Sequence, residues 1–203
     1  MRFCTVLLVL ALLLTGSGCS SPPAIPALSP DAVILAFGDS LTAGTGATPE
    51  TGYPAVLGHL SGRKVVNAGV PGEVTAAGLV RLPQLMEQEK PALVLLCLGG
   101  NDFLQRLDAA KAEENLRAMV RMVREHGAGV VLIGVPKLGF GLEVPGWYEK
   151  IARDAGIPYE GKVLAQVLSD PTLKSDPIHP NASGYRKIAE ALLKLLKKTG
   201  ALT

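Results

Sequence analysis

Four short runs dictate the architecture open to this chain. "AVILAFG" (32–38), "KVVNAG" (64–69), "ALVLLCLGG" (92–100) and "GVVLIGV" (129–135) are rich in β-branched and aliphatic residues and are bounded by Gly or Pro. Unbroken apolar runs of this length mark strands buried on both faces, as in a parallel sheet. Parallel strands need long crossovers, usually helical, and the intervening segments suit helices. In residues 109–126, Leu116, Met119, Val120 and Val123 recur on one helical face. The last helix follows Pro180, with Asn181 as its N-cap, and lines up Ile188, Ala189, Leu192, Leu193 and Leu196. A weaker fifth strand is expected at "IPYEG", after Gly156. Alternating β and α segments predict one open α/β domain, from about residue 32 to 203, with helices on both faces of a mostly parallel five-stranded sheet.

The N-terminus is a different kind of sequence. One Arg precedes an apolar run from Phe3 to Leu14, followed by small residues up to Cys19. A bilayer span needs roughly 20 apolar residues, so residues 1–19 read as a signal peptide. Its end resembles a bacterial lipoprotein signal in which Cys19 becomes the lipidated first residue, although Gly16 stands where Leu is usual. Plain secretion and an uncleaved anchor are the alternatives. The expectation is an exported, membrane-anchored lipoprotein facing the periplasm or cell surface. Residues 20–31 are rich in Pro and Ser and read as an extended tether. Cys97 is then the one cysteine of the folded domain, and its apolar run makes it a core residue rather than a nucleophile. With a formal charge of +2 and no Lys/Arg cluster longer than that in "LLKKTG", no nucleic-acid partner is expected.

In open α/β sheets the active crevice lies at the carboxyl ends of the strands. Three strand ends here carry unusual residues: "FGDSLTAG", "NAGVPGE" and "LGGND". Singly, each has a plain structural reading, since Asp-Ser caps helices and Gly-Gly-Asn-Asp forms turns. Together they supply what acyl transfer needs. Ser40 offers a hydroxyl at a strand-to-helix turn and an amide at a helix start. Asn101 offers a side-chain NH2, and Gly72 an amide that a ligand can approach closely. Of the three histidines, His59 falls within a helix and His126 at a helix terminus, where a cation suits the dipole. That leaves His179, in "SDPIHPN", as the base. It sits three residues after Asp176, and both precede a proline, which favours extended backbone. No His-x-x-x-His helix, paired-cysteine spacing, P-loop or dinucleotide fingerprint is present, so neither a metal nor a cofactor is expected.

These four segments, in this order, resemble the four blocks of the SGNH hydrolase superfamily, the GDSL esterases and lipases, in its bacterial arylesterase and thioesterase/lysophospholipase branch. The resemblance spans about residues 33–196. It implies a flavodoxin-like three-layer α/β/α sandwich. It also implies that Ser40 is the nucleophile, His179 the base and Asp176 its orienting partner, with the Ser40 and Gly72 amides and Asn101 forming the oxyanion hole. Glu73 stands where relatives often carry Asp, and residues 137–147 match no familiar relative. The implied activity is hydrolysis of aryl or acyl esters, with thioesters or lysophospholipids as further substrates. A carbohydrate O-acetylesterase and a non-catalytic lipid- or glycan-binding lipoprotein are the alternatives. Phe103, Leu104 and Trp147 are candidates for the substrate pocket, with ordinary core packing as the competing role.

Overall fold

The computed structural model describes residues 23–137 and 141–203. The signal segment with Cys19 and the first tether residues lie outside the described residues. Five strands form one sheet: β1 (Val33–Gly38), β2 (Lys64–Gly69), β3 (Leu93–Cys97), β4 (Gly129–Ile133) and β5 (Tyr159–Glu160). The order is β2-β1-β3-β4-β5 and every pairing is parallel. The central strands β1 and β3 are buried throughout apart from a half-buried Val33, whereas edge strand β2 exposes Lys64 and Asn67. Strand β5 is only two residues long, paired through Leu132–Tyr159 and Ile133–Glu160, which accounts for its weak sequence signal.

Right-handed crossovers decide which helices share a face. The chain moves one way from β1 to β2 and the opposite way for every later strand. Accordingly α2 (Tyr53–Ser61) packs with the final helix α8 (Ala182–Lys198). Helices α3 (Thr75–Glu89), α5 (Ala109–Glu125) and α6 (Gly146–Ala155) form the other group. The remaining helices are the short α1 (Ser40–Ala43) and α4 (Gly100–Leu104), then α7 (Val163–Ser169), which packs on α8. Asp108 caps α5 by accepting from the Ala110 amide, and Asn181 caps α8 by accepting from Gly184. The result is a three-layer α/β/α sandwich.

The last part of the expected tether is seated on the domain. Ile25 and Leu28 are buried, and their amides donate to the carbonyls of Thr199 (3.0 Å) and Ala201 (2.9 Å). Residues 24–29 share a groove with Ala92, Gly129 and Pro158, which sit at the amino ends of β3, β4 and β5. Arg63, just before β2, donates from Nη2 to the Leu28 carbonyl. The segment is extended, as its prolines require, but its two large apolar side chains belong to the core. Burying an Ile or Leu is worth about 1.5–3 kcal/mol, enough to hold a short strap in place.

Candidate active site

The carboxyl ends of β1 and β3 flank the point where chain direction across the sheet reverses, the usual crevice of this topology. β1 closes on Gly38, where a Cβ would collide with the Cys97 carbonyl and the Thr42 hydroxyl, so only glycine lets α1 begin there. Asp39 caps α1, its Oδ1 accepting from the Leu41 amide at 3.0 Å. Ser40, the first residue of the helix, is half-buried, with Oγ 3.0 Å from Nε2 of His179.

His179 arrives on the loop between α7 and α8, 139 positions later. Nδ1 of its ring lies 2.8 Å from Oδ2 of Asp176. The other carboxylate oxygen, Oδ1, accepts from the backbone amides of Ile178 (2.8 Å) and His179 (2.9 Å). Although some desolvation opposes it, the bond to His179 and the two amides hold this carboxyl below the usual carboxylate range. A carboxylate at Nδ1 sets the tautomer in which Nε2 is the acceptor, free to receive the Ser40 proton. The loop is closed at its base. Ser175 donates its amide to the His179 carbonyl (3.0 Å), and Nδ2 of Asn181 donates to the carbonyls of Thr172 (2.9 Å) and Lys174 (3.2 Å).

After β2, residues Val70, Pro71, Gly72 and Glu73 form a turn closed from the Glu73 amide to the Val70 carbonyl at 3.1 Å. Gly72 has φ +83°, the third-position geometry of a turn with Pro second. The Glu73 carbonyl accepts from Asn101 Nδ2 at 3.0 Å, and the same nitrogen lies 3.3 Å from Asp39 Oδ2. Glu73 also turns its side chain inward. Arg81 donates to it from Nε (2.7 Å) and Nη2 (2.6 Å), and reaches the Ala68 carbonyl (2.9 Å). Such forked, charge-assisted pairs are the strong ones. The carboxylate at this position thus locks the turn to α3. Asp102 ties α4 to the same helix by accepting from the amide (2.9 Å) and hydroxyl (2.6 Å) of Thr75.

Three buried carboxylates therefore meet behind Asn101: Asp39, Glu73 and Asp102. Burial, reinforced by the charges of Glu73 and Asp102 against the Leu41 hydrogen bond, pushes Asp39 up to about 7.

Ser40, Asn101 and His179 share one cleft. Its apolar wall comes from Leu41, Leu104, Val135, Leu168 and Ile178. Of the three pocket candidates, Leu104 lines this cleft and is half exposed (48%). Phe103 and Trp147 do not. Their ring centroids lie 6.1 Å apart, and Trp147 stacks on Tyr148 at 4.0 Å. Tyr148 in turn is fully buried and donates to the Leu98 carbonyl at 2.7 Å. These aromatics brace the end of β3. The wall residues missed in the sequence include Val135, two positions past the end of β4, which could have been found from the strand-end rule. Leu168, on α7, carried no such signal. His59 is exposed on α2, and His126 caps α5 with Nδ1 2.8 Å from the Met122 carbonyl, far in role from the cleft.

Similarity to known proteins spans most of the chain. The model of the GDSL-like lipase/acylhydrolase family matches residues 36–187. Esterase TesA of Pseudomonas aeruginosa is 33% identical over 201 residues, covering 89% of this chain and 96% of that one. Thioesterase 1/protease 1/lysophospholipase L1 of Escherichia coli K12 is 31% identical over 172 residues, covering 81% and 83% respectively. The crystal structure of the psychrotrophic esterase EstA from Pseudoalteromonas, inhibited by monoethylphosphonate, superposes with a TM-score of 0.73 at 27% identity. It covers 83% of this chain and 98% of that one.

Proposed function

The chain belongs to the GDSL-like lipase/acylhydrolase family, the SGNH hydrolases, and is a carboxylic ester hydrolase; from that premise we propose that Ser40, His179 and Asp176 are its catalytic triad. The observation that carries this reading is the unbroken relay from Ser40 Oγ to His179 (3.0 Å) and from His179 to Asp176 (2.8 Å), opening onto the cleft that Asn101 also lines.

In this mechanism Ser40 Oγ attacks the ester carbonyl while Nε2 of His179 takes its proton. The charge that forms on the carbonyl oxygen is held by the Ser40 and Gly72 amides and by the Asn101 side chain. The tetrahedral intermediate collapses and the alcohol leaves with the proton from His179. A water, deprotonated by the same nitrogen, then cleaves the acyl-serine ester and restores the enzyme. Asp176 keeps the imidazole in its tautomer and stabilises the cation it briefly becomes.

The substrates we propose are aryl and acyl esters, with thioesters and lysophospholipids within reach. An apolar wall of five side chains beside Ser40 suits a hydrocarbon acyl or aryl group better than a sugar. We further propose that the enzyme is exported and anchored through an acylated Cys19, on the strength of the signal-like segment before it.

A fluorophosphonate probe should label the wild type at Ser40 and leave Ser40→Ala unlabelled. Persistent labelling of that variant would identify a different nucleophile. A panel of p-nitrophenyl esters from C2 to C16, an acyl-CoA, a lysophospholipid and O-acetylated peptidoglycan then ranks substrates. Medium acyl chains should be preferred over acetyl. Strict acetyl preference with glycan deacetylation would make the enzyme an O-acetylesterase, and no turnover at all would leave a binding lipoprotein.

A further inference from the structure

The strap formed by residues 23–31 and the cleft occupy opposite ends of the sheet. The strap lies against the residues that open β3, β4 and β5, and it is hydrogen-bonded to Thr199 and Ala201 beyond the end of α8. Ser40 and Asn101 follow the ends of β1 and β3. From Val33 to Ser40 an extended chain rises about 3.3 Å per residue, so the two ends are separated by roughly 20 Å of sheet.

Reach is the deciding quantity. The buried Ile25 stands six positions after Cys19. At a maximum of roughly 3.3–3.6 Å per residue they span about 20 Å. A domain of about 180 residues has a radius of gyration near 16 Å and so a diameter of about 40 Å. With the strap seated, a lipid on Cys19 is held within about 20 Å of Ile25, shorter than the path around a body about 40 Å across to the cleft. With the strap released, the nearest fixed point is Ala32, thirteen positions after Cys19, a reach of about 45 Å, long enough for that path. Two buried side chains and two backbone hydrogen bonds therefore set the orientation. Lys90, Lys197 and Lys198 are all exposed and lie at helix ends on the strap's side, where cations suit both the helix dipole and anionic headgroups.

We propose that the strap holds the amino-terminal end of the sheet against the membrane that Cys19 enters, so that the cleft opens away from that membrane. The enzyme then takes esters delivered from the aqueous phase or from another surface, and not the lipids of its own anchoring bilayer. This rests on the acylation of Cys19 proposed above.

The test uses the full-length acylated protein in vesicles of non-hydrolysable ether lipids that carry a bilayer-resident 4-methylumbelliferyl palmitate. Three proteins are compared: wild type, Cys19→Ser added as a soluble enzyme, and a variant with a twelve-residue Gly/Ser insertion between Ser21 and Pro22. The insertion leaves the strap and its contacts intact. Anchoring should give the wild type no more than about a twofold advantage over Cys19→Ser. The inserted variant, whose cleft can now reach its own bilayer, should gain about tenfold or more through raised effective concentration. A wild type that cleaves its own vesicle's ester tenfold faster than Cys19→Ser would overturn the orientation. So would an insertion with no effect. Mass spectrometry of the N-terminal peptide separates the premises. Absence of lipid on Cys19 removes the anchor and the orientation together, while lipid present with a fast wild type removes only the orientation. Turnover of soluble p-nitrophenyl butyrate, expected equal in all three, reports the esterase reading independently.

Discussion

The side-chain amide of Asn101 carries two hydrogens, and three acceptors compete for them once substrate is bound: the Glu73 carbonyl, Asp39 and the developing oxyanion. The first holds the side chain in place at 3.0 Å, and the longer contact to Asp39, at 3.3 Å, is the one an oxyanion can replace. Asn101→Ala should therefore lower kcat by about 10²- to 10³-fold with an unchanged circular dichroism spectrum; wild-type turnover would remove Asn101 from the oxyanion hole. Asp39 makes a separate prediction through its carboxyl, which burial pushes up to about 7. Below pH ~4 the carboxyl is protonated in folded and unfolded chains alike, and it contributes no pH dependence. Between about pH 4 and 7 the unfolded chain ionises while the folded one stays protonated, so stability falls as pH rises, then levels off. Asp39→Asn keeps the cap oxygen and removes this slope. Urea midpoints at pH 5 and pH 8 should differ less in the variant than in the wild type. At this scale Ser40, Asn101 and His179 were legible as candidates because they stand at strand ends or between prolines, and the structure brings all three to one cleft. Phe103 and Trp147 were harder, since an aromatic beside a motif looks the same whether it faces a cleft or props a strand.

Among the elements, the loop that carries His179 has its rigidity in Asn181 as much as in its prolines. One side chain caps α8 through Oδ1 and ties two carbonyls of the incoming chain through Nδ2. Asn181→Ala should cost about 1–2 kcal/mol and lower kcat, because the ring loses its aim; chemical denaturation and steady-state kinetics measure the two separately. At the end of β2, a Cβ on Gly69 would run into the backbone of Ala43. Gly69→Ala should push α1 outward, reducing stability by about 1–3 kcal/mol and displacing Ser40. Four of the five strands were legible because a strand buried on both faces must be apolar throughout. β5 was faint because two residues hardly make a pattern. The docking of the strap was not legible for a physical reason as well: its prolines indicate extended chain, but extension says nothing about docking, which depends on two apolar side chains finding a groove made by distant segments.

For the molecule as a whole, the strap counts toward stability as well as orientation. A chain starting at Ala32 loses the burial of Ile25 and Leu28, about 3–6 kcal/mol, and its Tm should fall by about 10 °C. Its kcat on a soluble ester at 25 °C should stay the same, because the cleft is at the other end of the sheet; calorimetry and a p-nitrophenyl butyrate assay check both. Cys97 offers a second whole-molecule reading. It is buried in central strand β3, and burial, with the charge of Asp39 adding to it, raises its thiol well above the ordinary range. A thiol that is neither exposed nor ionised does not react with a disulfide reagent in the folded state. Central strands open only with the whole domain. In the Cys19→Ser protein with the signal removed, Cys97 becomes a solitary stopwatch: the speed at which it is coloured by Ellman's reagent reads how often the molecule comes entirely apart.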